Sequence, residues 1–104
     1  MLLCMAKNVL GVVARIVARP ESVDVVREGL RSLLEPTRRE EGCIVYELMQ
    51  NQADPTDFTF YEEWSGGEAL DAHARSAHIE RTFKALDGHL AAAPDIRRYS
   101  YIEP

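Results

Sequence analysis

A chain of 104 residues with 46% hydrophobic and 28% charged side chains has the balance of one globular domain and no length for a second. Seventeen acidic residues against 12 Lys and Arg give a net charge of −5, and no basic stripe runs along any segment, which argues against a nucleic-acid footprint. Cys4 and Cys43 lack the spacing of a disulfide framework and read as reduced thiols of a cytoplasmic protein.

The start, MLLCMAKN, is apolar for only six residues before Lys7, too short for a signal-peptide core or a membrane span. Residues 1–8 are therefore expected to be a flexible leader, with Met5 as the candidate functional start, and residues 9–104 a single domain. From Val9 to Arg19, alternation places Leu10, Val12, Ala14, Ile16 and Ala18 on one face and the remaining valines with Arg15 and Arg19 on the other, a strand partly buried on both sides. Pro20 stops it, and Pro20-Glu21-Ser22 with Asp24 places a proline and acids where a helix begins. Val23, Val26, Leu30, Leu33 and Leu34 then form one apolar helical stripe, which Pro36 ends or kinks. A charged exit to Gly42 follows.

Cys43–Met49 predicts a second strand, with Cys43, Val45, Glu47 and Met49 on one side and Ile44, Tyr46 and Leu48 on the other. The turn-rich Asn51–Asp57 connector suits a hairpin, so Phe58–Trp64 pairs antiparallel with it. Phe58, Phe60, Glu62 and Trp64 share one face of that third strand. Ser65-x-x-Glu68 matches a capping box and predicts a helix starting within one residue of Trp64. Leu70, His73 and Ala77 form one stripe and Ile79, Phe83, Leu86 and Leu90 another, and the two are out of phase through Ser76–His78. A break is expected there. The last strand is Asp95–Ile102, with Ile96 and Ile102 opposed to Tyr99 and Tyr101.

The order strand, helix, strand, strand, helix, strand is that of a ferredoxin-like α+β domain, a four-stranded antiparallel sheet with helices on one face. The other sheet face still carries Val, Leu, Phe or Tyr side chains that a small domain does not leave in water, which predicts a homodimer packed sheet on sheet.

The informative stretch is Phe58–His78, which holds the only tryptophan and two of the three histidines. Imidazole gives or takes a proton near neutrality, so His73, on an apolar stripe, is the first candidate for catalysis or ligand contact. His78 falls at the predicted break, as a pocket-mouth or a solvated residue, and His89 is expected at the surface. His73 and His78 are five apart, which puts them on different helical faces, and no Cys–His ligand pair exists, so no metal site is expected. Glu62 and Glu63 alternate across a strand and do not form an acid/base pair. Phosphate-loop, dinucleotide and nucleophile-elbow motifs are absent.

Glu35-Pro36-Thr37-Arg38, Glu41-Gly42-Cys43-Ile44-Val45-Tyr46-Glu47, Phe60-Tyr61-Glu62-Glu63-Trp64, Glu68-Ala69-Leu70-Asp71-Ala72-His73 and Ser76-Ala77-His78 together resemble the antibiotic biosynthesis monooxygenase domain family, including its quinol monooxygenase-like members. The resemblance runs from Val9 to Ile102. It implies a dimeric α+β barrel with a pocket between helices and sheet in each subunit, and oxidation of a quinol or phenolic aromatic by O2 with no metal, haem or flavin. It further suggests His73 as proton acceptor or phenolate partner and Trp64 as pocket wall. Tyr46, Tyr61 and Glu62, from strand face and chemistry, join as hydrogen-bonding candidates, with His78 and Phe83 as further substrate contacts. The same fold serves other chemistries, haem degradation among them, so an isomerase or lyase acting on a small metabolite and a non-catalytic ligand-binding dimer stand as alternatives.

Overall fold

The computed structural model describes residues 8–104. Expectations for the leader, the Met5 start and Cys4 lie essentially outside the described residues.

Among the described residues eight regular elements follow one another: β1 (Leu10–Val17), α1 (Val23–Arg31), α2 (Leu34–Arg38), β2 (Cys43–Gln50), β3 (Asp57–Trp64), α3 (Gly67–Ala74), α4 (Ala77–Ala85) and β4 (Asp95–Ser100), with a 3-10 turn at Pro20–Ser22 ahead of α1. The strands form one antiparallel sheet in the order β2-β3-β1-β4. This is the expected ferredoxin-like βαββαβ sheet with its helices on one face.

The alternation in β3 translates directly into burial. Phe58, Phe60, Glu62 and Trp64 are buried, while Thr59, Tyr61 and Glu63 are only partly so. Val12, Ala14, Ile16 and Ala18 continue the buried face from β1, and Val26, Leu30, Leu33, Leu70 and Leu86 close over it from the helical side. Each large side chain fully buried there stabilises the fold by about 1.5–3 kcal/mol. Gly29 permits the close approach of α1 to the end of α4, since a Cβ there would lie 3.0 Å from Leu86 Cδ2.

Four local expectations give way. The first helix does not stop at Pro36; it breaks after Arg31 and resumes as α2, with Pro36 in the first turn, where its missing N–H costs nothing. Cys43 does not share a face with Val45: the ladder slips between them, Cys43 standing opposite Trp64 and Val45 opposite Glu63. That extra residue, Ile44, behaves as a β-bulge and rotates Cys43 onto the core side. The Ser65 capping box does not form. The helix begins at Gly67, three residues after Trp64, with Gly66 at its cap and no side-chain cap bond, because Ser65 instead donates its N–H to Gly42 O at 2.8 Å. His89 is not a free surface residue, its Nδ1 lying 2.8 Å from Ser22 Oγ.

The break between the two helical stripes is present. α3 ends at Ala74, and Ser76 caps α4, its hydroxyl accepting from Ile79 N and donating to His73 O at 2.7 Å. That turn decides the geometry of the site.

Candidate active site

Between the helix-covered face of the sheet and α3/α4 lies a cavity of about 470 Å³. Its walls are mainly apolar: Ile16 and Phe60 from the sheet face Leu70, Ile79 and Phe83 from the helices. Three polar side chains, Tyr46, Glu62 and His73, enter this lining, with Glu80 and Arg98 also bordering it. Arg98 is held by Asp71 at 2.7 Å.

His73 is 6% exposed and is fixed from two directions. Behind it, the Trp64 ring lies tilted at a centroid distance of 4.8 Å, and Tyr46 meets it edge-on at 5.4 Å. Its Nδ1 is 2.8 Å from Glu40 Oε2. The same carboxylate oxygen is 2.6 Å from His78 Nε2, which also lies 3.3 Å from Ser76 Oγ. An ionised carboxylate only accepts, so each ring presents an N–H to Glu40. In the neutral imidazole this leaves His73 Nε2 as the acceptor. That atom has no partner among the described residues and is not sealed from solvent, and His73 borders the cavity. A lone pair at Nε2 is therefore available to a bound molecule.

Glu62 and Tyr46 bring opposite capacities to the same space. Glu62 is 3% exposed and accepts from Trp64 Nε1 at 2.7 Å. Burial raises its pKa above the ordinary value, against the lowering effects of the indole bond and of His73. A carboxyl so placed takes up a proton more readily than a solvated one. Burial and, next, the charge of Glu62 push the Tyr46 phenol far above its usual range, so it stays a neutral hydroxyl. Tyr46 stacks on Phe60 at 4.8 Å, which fixes its ring against the cavity wall.

The expected site residues divide. His73, Tyr46, Glu62 and Phe83 converge on the cavity. Trp64 does not line it; fully buried, it supports His73 and Glu62 from behind, so its part is to position them. Tyr61 points to the opposite sheet face, where its hydroxyl meets Glu63 Oε2 at 2.7 Å and Tyr101 OH at 2.6 Å, and Tyr101 also donates to Glu63. It cannot touch the same ligand. His78 does not border the cavity either, but it does not point away from His73: the rings are 6.1 Å apart and share Glu40. Five positions along one helix would set them on different faces, whereas the turn at Arg75-Ser76 folds them together.

Glu40 is the residue that sequence reasoning missed. It lies in the loop between α2 and β2, 33 positions before His73, in a stretch that reads as a solvated charged exit. Cys43, nearby, has its thiol pKa pushed up to about 11 by burial and then by Glu40, and so is neutral and unreactive near pH 7.

Fold and site together define a small α+β pocket protein with an oriented histidine in a mainly apolar cavity. The model of the family described as "Antibiotic biosynthesis monooxygenase" matches residues 9–95. The chain is 34% identical over 83 residues to "Putative monooxygenase Rv0793" of Mycobacterium tuberculosis (strain ATCC 25618 / H37Rv), the match covering 80% of each protein. Among solved structures it is similar to a conserved protein from Methanosarcina mazei Go1, at 34% identity and a TM-score of 0.87 over 94% of this chain and 97% of that one. It is also similar to PA3566 from Pseudomonas aeruginosa, at 28% identity and 0.88 over 94% and 98%. This chain belongs to the antibiotic biosynthesis monooxygenase family. No helix among the described residues is long and apolar enough to cross a membrane.

Proposed function

We propose that the protein is a monooxygenase that binds a quinol or other phenolic aromatic in the 470 Å³ cavity and oxidises it with O2, the substrate itself supplying all the electrons. Family membership and the names of its relatives support the reaction class. The observation that carries the reading is His73, which borders a mainly apolar cavity, has its Nδ1 held by Glu40 and has no partner at Nε2 among the described residues.

In this mechanism the phenolic O–H transfers its proton to His73 Nε2. Glu40, accepting from Nδ1–H, stabilises the imidazolium that results. The neutral Tyr46 hydroxyl donates to the phenolate. The electron-rich anion passes one electron to O2, and the radicals combine at a ring carbon that bears hydrogen. Loss of that hydrogen and cleavage of the O–O bond leave one oxygen atom as a new ring carbonyl and release the other as water. A hydroxynaphthalene thus becomes a naphthoquinone, four electrons leaving the ring and four reducing O2. The apolar walls favour this course by admitting O2 and excluding water from the anion.

We also propose that the working form is a cytoplasmic homodimer joined through the open sheet face, where Tyr99 and Met49 stand about half exposed beside Val13 and Tyr61. Oxygen uptake with menadiol-type and hydroxynaphthalene substrates tests the reaction. Consumption by the parent protein that falls at least about a hundredfold in His73→Ala supports it, within the range of general base catalysis; equal consumption by both removes His73 from the mechanism. A second reading is favoured by Glu62, which gives the cavity another group able to hold a proton. Two such groups can move a proton between carbons, as an isomerase or lyase requires, and turnover under strict anaerobiosis would identify that case.

A further inference from the structure

Glu40, His73 and His78 come from the α2–β2 loop, the end of α3 and the start of α4, yet one ligand atom from each lies within 4.8 Å of the others. Glu40 Oε2 lies 2.8 Å from His73 Nδ1 and 2.6 Å from His78 Nε2. Two imidazoles and a carboxylate are a recognised donor set for zinc-class ions, three protein ligands leaving a position open. An ion about 2.0–2.2 Å from each ligand needs ligand–ligand separations of roughly 3–4 Å, a change within reach of side-chain rotation. Side-chain exposures of 17, 7 and 17% place the cluster below the surface but not sealed from it. The surroundings also hold the donors in place: Trp64 lies against the His73 ring, and Ser76 links the two histidines through the His73 carbonyl and His78 Nε2.

We propose that Glu40, His73 and His78 form a binding site for one divalent cation of the zinc class. Ligation uses the lone pairs of Nδ1 on His73 and Nε2 on His78, the nitrogens that otherwise present N–H to Glu40. Each ring keeps its single proton by moving it to its other nitrogen, so no net proton is released. On His73 that other nitrogen is Nε2, which then donates where it formerly accepted. The ion and a substrate proton compete for the two tautomers of one ring, and the cation acts as an inhibitor of the oxidation. The inhibition rests on the role given to His73 above; the binding does not.

Titration calorimetry with Zn2+ and visible absorption with Co2+, both on the full chain, test the site without any turnover. We expect saturable binding of one ion per chain. His78→Ala and Glu40→Gln should each weaken it by about tenfold or more, while His89→Ala leaves it unchanged. Thermal melting of each variant establishes that it is folded, and Glu40→Gln keeps an acceptor for both histidines should His78→Ala fail to fold. Absence of saturable binding, binding that survives both substitutions, or binding lost in Cys43→Ser while persisting in His78→Ala would overturn the proposal. Binding without inhibition of O2 uptake confirms the cation site and overturns instead the proton-accepting role of His73.

Discussion

The turn that delivers Glu40 to His73 depends on a single glycine, and its replacement has a calculable cost. Gly42 has φ +86°, and a Cβ placed there would lie 2.6 Å from both Ala69 Cβ and Ser65 Oγ. Neither neighbour is the free end of a long side chain: Ala69 is on α3, and Ser65 is held by its N–H bond to Gly42 O. Gly42→Ala therefore carries two penalties, a left-handed backbone for an L-residue, about 1–2 kcal/mol, and overpacking, about 1–3 kcal/mol. Gly88 separates them. It has the same φ of +86° but nothing within 4 Å of its Cβ position, so Gly88→Ala meets only the first. Equilibrium urea denaturation of the two variants should place Gly42→Ala about 1–3 kcal/mol below Gly88→Ala. Its total loss of roughly 2–5 kcal/mol is a large part of the 5–15 kcal/mol available to a domain. In thermal melts a 3 kcal/mol loss is on the order of 10–25 °C. Equal destabilisation of the two would refute the steric argument, that Ala69 and Ser65 leave no room for a Cβ at position 42.

Glu62→Gln keeps an oxygen to accept from Trp64 and removes a buried charge. Because the folded-state pKa of Glu62 is raised, its contribution to stability is fully present below the ordinary value of 4.5 and is lost as pH rises through the folded value. The variant should therefore be more stable than the parent at pH 7 and lose that advantage in acid, as urea midpoints at several pH values will reveal. Phe83→Trp adds bulk to a cavity wall and should raise the KM for a bicyclic substrate by about tenfold with little change in melting temperature, cavity-facing bulk being better tolerated than core overpacking. Tyr61→Phe should leave O2 uptake within about twofold of the parent, since that hydroxyl faces the other side of the sheet from the cavity.

Strand alternation and helical phase were enough to read the layout of the domain. In β3 a period of two carried Phe58, Phe60, Glu62 and Trp64 to the core, and the phase slip at Ser76 marked the real boundary between α3 and α4. His73, Tyr46, Glu62 and Phe83 were legible as pocket residues for the same reason, each having a face fixed by local period. What failed depended on departures from that period. The bulge at Ile44 moved Cys43 to the core side, and Ser65 found a better partner in Gly42 than in its own helix. Trp64 shared a face with Glu62 but lay too deep to meet the cavity, a matter of depth that alternation does not encode. Glu40 carried no signal because its role is set by a tertiary contact across 33 residues. The convergence of His73 and His78 is not encoded in a five-residue spacing, because the turn between α3 and α4, and not helical phase, sets where the second ring lies.

In the proposed reaction one atom of O2 enters a phenolic substrate bound beside His73. Incubation of the parent protein with 18O2 and a hydroxynaphthalene, followed by mass spectrometry of the quinone, tests it most directly. One 18O atom per quinone is expected with the parent protein, and at least about a hundredfold less product with His73→Ala. Product lacking 18O, or product formed equally well without oxygen, would contradict it.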